Sequence, residues 1–147
     1  MKYLLVHSTE RRRSEGSPLD TNICVYFLNQ HPNVVARMNQ AADEDLGVSI
    51  VTIGELQFGA YNSQKVEHNL NRINTFRQMV QTTYLTLEIT EEYAKIKANL
   101  RKAGYAVDDF DILIGATAIV NNLTLITNNT KHFENIFGLS LANWSAA

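Results

Sequence analysis

Five carboxylates sit at positions where a chain can use them for chemistry. Asp20 is followed by Thr21 and Asn22, Glu55 lies three residues after Thr52, and Asp108, Asp109 and Asp111 fall close together. Converging carboxylates hold hard divalent cations through their oxygens; without a cation they repel one another and some pKa values rise. Each acid also has a purely structural explanation. Asp20 fits a helix N-cap, Glu55 the far end of a capping box opened by Thr52, and the three aspartates the positive end of a helix dipole. Spacing alone favours these structural roles, because caps far outnumber active sites. The elements that carry the acids have to decide.

Those elements alternate. Asp20-Thr21-Asn22 offers good N-cap residues ahead of the apolar run Ile23 to Leu28, and a second helix fits Asn33 to Ala42. Gly47 to Val51 is β-type and runs straight into Thr52-Ile53-Gly54-Glu55, a strand handing over to a helix. Val66, Leu70, Ile73, Phe76, Met79 and Val80 recur at helical spacing. Tyr84, Leu85 and Leu87 predict a strand, Thr90 a cap for the helix carrying Tyr93, Ile96 and Leu100, and Gly104 its end. Asp111 opens a segment, Ile112 to Val120, that is apolar on nearly every side and so predicts a buried helix. Leu123 to Thr127 is again β-type. Strands alternating with helices predict an α/β fold with a mostly parallel sheet covered on both faces. Ligands in such folds bind beyond the carboxyl ends of the strands, which is where the acids lie.

Composition narrows the classes. At 147 residues the chain suits a single domain spanning 1–147, with 45% hydrophobic and 19% charged residues. The uncharged run after Asp111 contains Thr117, Asn121, Asn122, Thr124 and Asn128, so it does not read as a membrane span. Thirteen basic and 15 acidic residues give a net charge of −2, so any contact with nucleic acid has to be local. The start Met1 to Val6 is too short an apolar run for a secretory signal, and the lone Cys24 excludes an internal disulfide; both point to a cytoplasmic protein.

Residue context adds a resemblance. Leu19-Asp20-Thr21-Asn22-Ile23-Cys24 resembles the first acidic motif of the PIN-domain ribonucleases of the VapC toxin family, and Val48 to Leu56 with Phe58-Gly59 resembles the second. Asp109-Phe110-Asp111-Ile112-Leu113-Ile114-Gly115-Ala116 is similar to the third, with Asp111 at the carboxylate position. Leu125 to Phe133 resembles the strand and polar loop that finish the site, and Gly138-Leu139 through Asn143-Trp144 the usual ending. Four motifs in the expected order and at the expected intervals are a specific signal; one Asp-Thr-Asn would not be.

The resemblance implies a PIN-like three-layer α/β/α fold and magnesium-dependent hydrolysis of RNA phosphodiester bonds, with manganese as a possible substitute. It implies Asp20, Glu55 and Asp111 as catalytic residues, with Asp20 and Asp111 as direct metal ligands. Thr21, Asn22, Thr127 and Asn129 would orient carboxylates or water around them. It further implies a homodimer and a cognate antitoxin that covers the active site. Many family members carry a fourth acid in or just after the final strand, where this chain has Asn128, Asn129 and His132. That departure motivates an alternative from another class, a catalytically weakened PIN-like module that binds an antitoxin or RNA without efficient cleavage.

Other residues invite over-reading. His132 could contact phosphate or replace the absent acid, but reads more simply as a solvated loop histidine. Cys24 reads as a buried small side chain. Lys95, Lys97, Arg101 and Lys102 form a basic cluster on one helix that could bind RNA phosphates, and they read at least as well as an ordinary solvated face. The segment 6–18, with Arg11-Arg12-Arg13 and Ser14-Glu15-Gly16-Ser17-Pro18, has no hydrophobic period and reads as an insertion or loose loop. Removing Val6 to Leu19 would give Met-Lys-Tyr-Leu-Leu-Asp-Thr-Asn, the start the resemblance leads one to expect. Of two arrangements, residues 1 to 5 as the strand before Asp20 or Ser17 to Leu19 in its place, the second is favoured here, with residues 1 to 13 a loose tail.

Overall fold

The computed structural model describes residues 4–7, 17–18, 28–29, 31–40, 46–127 and 129–143. The strands are β1 (Leu4–His7), β2 (Ser17–Pro18), β3 (Leu46–Ser49), β4 (Gln81–Thr83), β5 (Leu123–Ile126) and β6 (Ser140–Ala142). The helices are α1 (Pro32–Gln40), α2 (Ile50–Tyr61), α3 (Val66–Met79), α4 (Leu87–Ala103) and α5 (Asp109–Val120). The helix expected from Ile23 lies outside the described residues, apart from Leu28.

Two three-stranded ladders form, β2-β3-β4 and β1-β5-β6, and they meet through β1 and β2, which contact each other and reach β3 and β5. β2/β3, β3/β4 and β5/β6 are parallel, and β1/β5 is antiparallel. The parallel step from β3 to β4 needs a crossover, which α2 and α3 supply. Adjacent residues of β5 face opposite sides of the sheet. Leu125 packs with Ile89, Ile96, Ile112 and Phe133, while Ile126 packs with Val48, Ile53, Ile73 and Phe76. One strand thus feeds two cores, which is the physical meaning of three layers.

Three element boundaries differ from the sequence reading, each because a small side chain or a missing ladder partner intervenes. The expected strand through Val51 stops at Ser49, whose Oγ accepts from Val51 N at 3.1 Å and caps α2 three residues earlier than Thr52 would. Thr86, not Thr90, caps α4, its Oγ1 accepting from Ile89 N at 3.3 Å. The strand expected over Tyr84 to Leu87 is instead β4, because its last partner is Ser49 opposite Thr83 and β3 gives way to helix there. The N-terminus corrects a further expectation. Leu4–His7 is a strand, paired from Leu4 with Ile126 to His7 with Leu123, so residues 1 to 13 are not wholly a tail. Ser17–Pro18 pairs with Leu46 and Gly47 on a different neighbour, so the two segments do not compete for one place. Pro18, which has no N–H to give, lies at the edge of its own ladder.

Gly104 ends α4 in the left-handed region at φ 81°, with Tyr105 N donating back to Leu100 O at 2.9 Å. Any side chain is strained in that conformation. Gly104→Ala should cost roughly 1 kcal/mol and lower Tm by about 3 °C in thermal unfolding; an unchanged Tm would show that the turn relaxes without strain.

Candidate active site

Asp111 is the acid the structure singles out. It lies in the first turn of α5 and is only 1% exposed, on a helix whose Ile112, Ile114, Gly115, Ala116, Thr117 and Ala118 are also buried. It is not the cap of this helix, because Asp108 takes that place, Oδ1 accepting from Phe110 N at 2.9 Å. Burying a carboxylate is costly unless charge or hydrogen bonds compensate, and one compensating neighbour is His132. Its Nδ1 stands 3.3 Å from Asp111 Oδ2.

Glu55 loses the capping-box role that its spacing suggested. With Ser49 as the cap, Thr52 lies fully buried inside α2 and no capping box exists. Glu55 is half-buried on the second turn, with Oε1 shielded from solvent. Helices α2 and α5 pack against each other, so both acids sit on touching elements.

Beyond β5 the chain is held by short-range bonds. Thr127 is buried, its N–H donates to Ala142 O at 2.8 Å, and its Oγ1 accepts from Asn129 N at 2.9 Å. A 3-10 turn, Thr130–His132, follows, and Phe133 and Ile136 anchor it in the core. The Thr127 side chain and the Asn129 backbone N–H thus fix a loop, and the loop presents His132. Asp20, Thr21 and Asn22 lie outside the described residues. Among the described residues no group of three His, Cys, Asp or Glu is gathered tightly enough to hold a metal by itself. A buried carboxylate with a neutral-capable imidazole beside it is nevertheless a donor set that fits a divalent cation.

Asp109, two residues away, does a different job. Tyr93 Oη donates to its Oδ1 at 2.8 Å, and Lys97 Nζ lies 2.8 Å from the same oxygen. The Lys97 and then the Tyr93 hydrogen bonds hold the Asp109 carboxyl below its ordinary value, and Asp109 in turn raises Lys97.

The PIN domain family matches residues 19–137, most of the chain. The chain belongs to the PIN-domain family. Among curated relatives it is 34% identical over 128 residues to Ribonuclease VapC2 of Rickettsia felis, covering 86% of this chain and 96% of that protein. It is 33% identical over 127 residues to the tRNA(fMet)-specific endonuclease VapC of Shigella flexneri, with the same coverage. Its fold is similar to that of VapBC2 from Rickettsia felis bound to a promoter DNA fragment, with TM-score 0.78, 33% identity, and 84% and 95% of the two chains covered. VapBC-1 from nontypeable Haemophilus influenzae is likewise similar, with TM-score 0.78, 31% identity, and 86% and 96% covered. The PIN-domain chain is thus of the VapC type, and the α/β/α reading of its sequence holds.

Sequence reasoning read His132 as a solvated loop histidine; the side chain is 50% exposed, and the structure adds its contact with Asp111 at 3.3 Å. The available signal was the absent acid in that very loop. It also left the Tyr93–Lys97–Asp109 cluster unread, although Tyr93 and Lys97 stand at i, i+4 on α4.

The depressed Asp109 pKa carries a sign. Stability from this contact is present above the unfolded pKa and is lost as pH falls through the folded one. Replacing Lys97 by Met should move the Asp109 carboxyl upward in an NMR titration; an unmoved titration would show that Tyr93 alone sets it.

Proposed function

We propose that this protein is a metal-dependent endoribonuclease toxin, hydrolysing RNA phosphodiester bonds and restrained by a cognate antitoxin. The observation that carries the reading is the buried Asp111 on a helix already capped by Asp108, in a PIN-domain chain similar to named ribonucleases along nearly their whole length. A capping acid gains nothing from burial; a metal-binding acid does.

Asp20 and Asp111 would hold the cation and Glu55 would complete the carboxylate set. Magnesium, the expected ion, supplies polarisation of the phosphate and a readily deprotonated water. The chain's own part is to aim these acids. Ser49 and Asp108 take over the capping of α2 and α5, and the Thr127–Asn129 turn fixes the loop beside Asp111. Thr21 and Asn22 would steady Asp20 from the adjoining positions.

RNA is the substrate class, and the relative from Shigella flexneri, named for cutting tRNA(fMet), supports a structured RNA. Solved relatives such as VapBC2 are toxin–antitoxin assemblies, which supports a protein partner here. Phe58 and Tyr61, exposed three residues apart on α2, add an apolar ridge suited to such a partner or to a homodimer contact. Among the described residues no helix is long and apolar enough to cross a membrane. A cytoplasmic location belongs to the same proposal.

Asp20→Asn, Glu55→Gln and Asp111→Asn should each abolish magnesium-dependent cleavage by purified protein, a loss of at least about a hundredfold, with the fold retained by circular dichroism. Full activity of Asp111→Asn would sink the site. If instead the wild type binds an antitoxin but cleaves no RNA with any divalent cation, the weakened-module reading takes its place.

Residues 6–18 are proposed as an insertion within this single domain. The relatives are covered to 96% while this chain is covered to 86%, and the family match starts at residue 19. Deleting Val6 to Leu19, so that Leu5 precedes Asp20, should raise both thermal stability and magnesium-dependent cleavage. A fall in both would mean that the β1 and β2 ladders formed by this segment are integral to the fold.

A further inference from the structure

We propose that His132 is itself a metal ligand, supplying an imidazole nitrogen beside the Asp111 carboxylate, and that the centre therefore takes first-row transition cations such as manganese in preference to magnesium. This rests on the nuclease reading and deepens it by naming the cation class.

Three observations support it. His132 Nδ1 is 3.3 Å from Asp111 Oδ2. Two donors bound side by side to one ion, each at about 2.1 Å, stand about 3 Å apart, so the pair lies within a few tenths of an ångström of that spacing. Position is the second point. The His132 N–H donates to Asn129 O and the Phe133 N–H to Thr130 O, both at 3.1 Å, and Phe133 is fully buried, so the backbone that aims the imidazole is pinned. The side chain itself is 50% exposed and can turn to close the remaining gap.

The third point is chemical. Magnesium favours all-oxygen surroundings and keeps its waters. An imidazole nitrogen favours first-row transition ions, whose affinity for mixed nitrogen and oxygen sites rises from manganese along the series. A carboxylate at position 132 would suit magnesium; a histidine there shifts the preference. A simple charge pair would also hold the two side chains together, and only a bound ion separates the two explanations.

The test uses full-length, metal-stripped protein at mildly alkaline pH with manganese(II) as the probe. Electron paramagnetic resonance counts the free ion, and electron spin-echo modulation reads nitrogen coupled to the bound ion. Wild type should show imidazole coupling. His132→Asn should lose it and bind manganese at least about tenfold more weakly, with unchanged circular dichroism. His132→Asp should lose the coupling and shift manganese–magnesium competition toward magnesium by at least about tenfold. Manganese bound by wild type without nitrogen coupling, coupling that survives in His132→Asn, or equal competition in all three proteins would overturn the ligand role. If wild type then still cleaves RNA with magnesium, the nuclease reading stands without it. A wild type that binds no divalent cation and cleaves nothing overturns both.

Discussion

The fold is arranged around one costly act, the removal of the Asp111 carboxylate from water. A carboxylate at 1% exposure is tolerated only where its surroundings make up for the lost hydration. The first turn of α5 contributes its positive end, since unbonded N–H groups point toward that region. His132 brings its Nδ1 to 3.3 Å from the carboxylate Oδ2. Asp111 can be spent in this way only because Asp108 satisfies the helix N-terminus from outside.

The same division of labour recurs at β3. Ser49 is buried and caps α2, so Glu55 is released from backbone duty and can sit one turn further along the helix. The small Ser49 side chain at the exit of β3 thus does the capping that spacing had assigned to Thr52 and Glu55. β5 then does for packing what the caps do for polarity. Leu125 and Ile126 serve opposite cores, and the strand delivers Thr127 to the end where α5 begins.

Much of this was legible in the sequence. The strand–helix alternation, the apolar character of α5, the αL end of α4 at Gly104 and the position of Asp111 follow from period, composition and turn chemistry. What was not legible depended on competition between neighbours. Ser49 and Thr52 are both acceptable caps, as are Thr86 and Thr90, and the choice falls to whichever lies where the ladder ends. Tyr84 and Leu85 have strand-type side chains but no partner strand, because β3 has already become α2. The same holds for His132. Its ring is placed by Phe133 in the core and by Asn129 in the turn, tertiary facts that no local pattern encodes.

That placement also explains why the C-terminal segment matters to a site it does not itself supply with acids. Gly115 on α5 lets Ile136 and Leu139 approach closely; a Cβ there would stand 3.2 Å from Ile136 Cδ1. Ile136 N in turn donates to Phe133 O at 3.0 Å, and Ala142 O accepts from Thr127 N. The loop from Thr127 to Ile136 is therefore clamped at both ends, against α5 on one side and β6 on the other. A loop tied only at β5 would let the imidazole sample many positions over an exposed face. Clamped twice, it meets the buried carboxylate at one place, and the glycine that admits the clamp lies one turn along the same helix as the acid it serves.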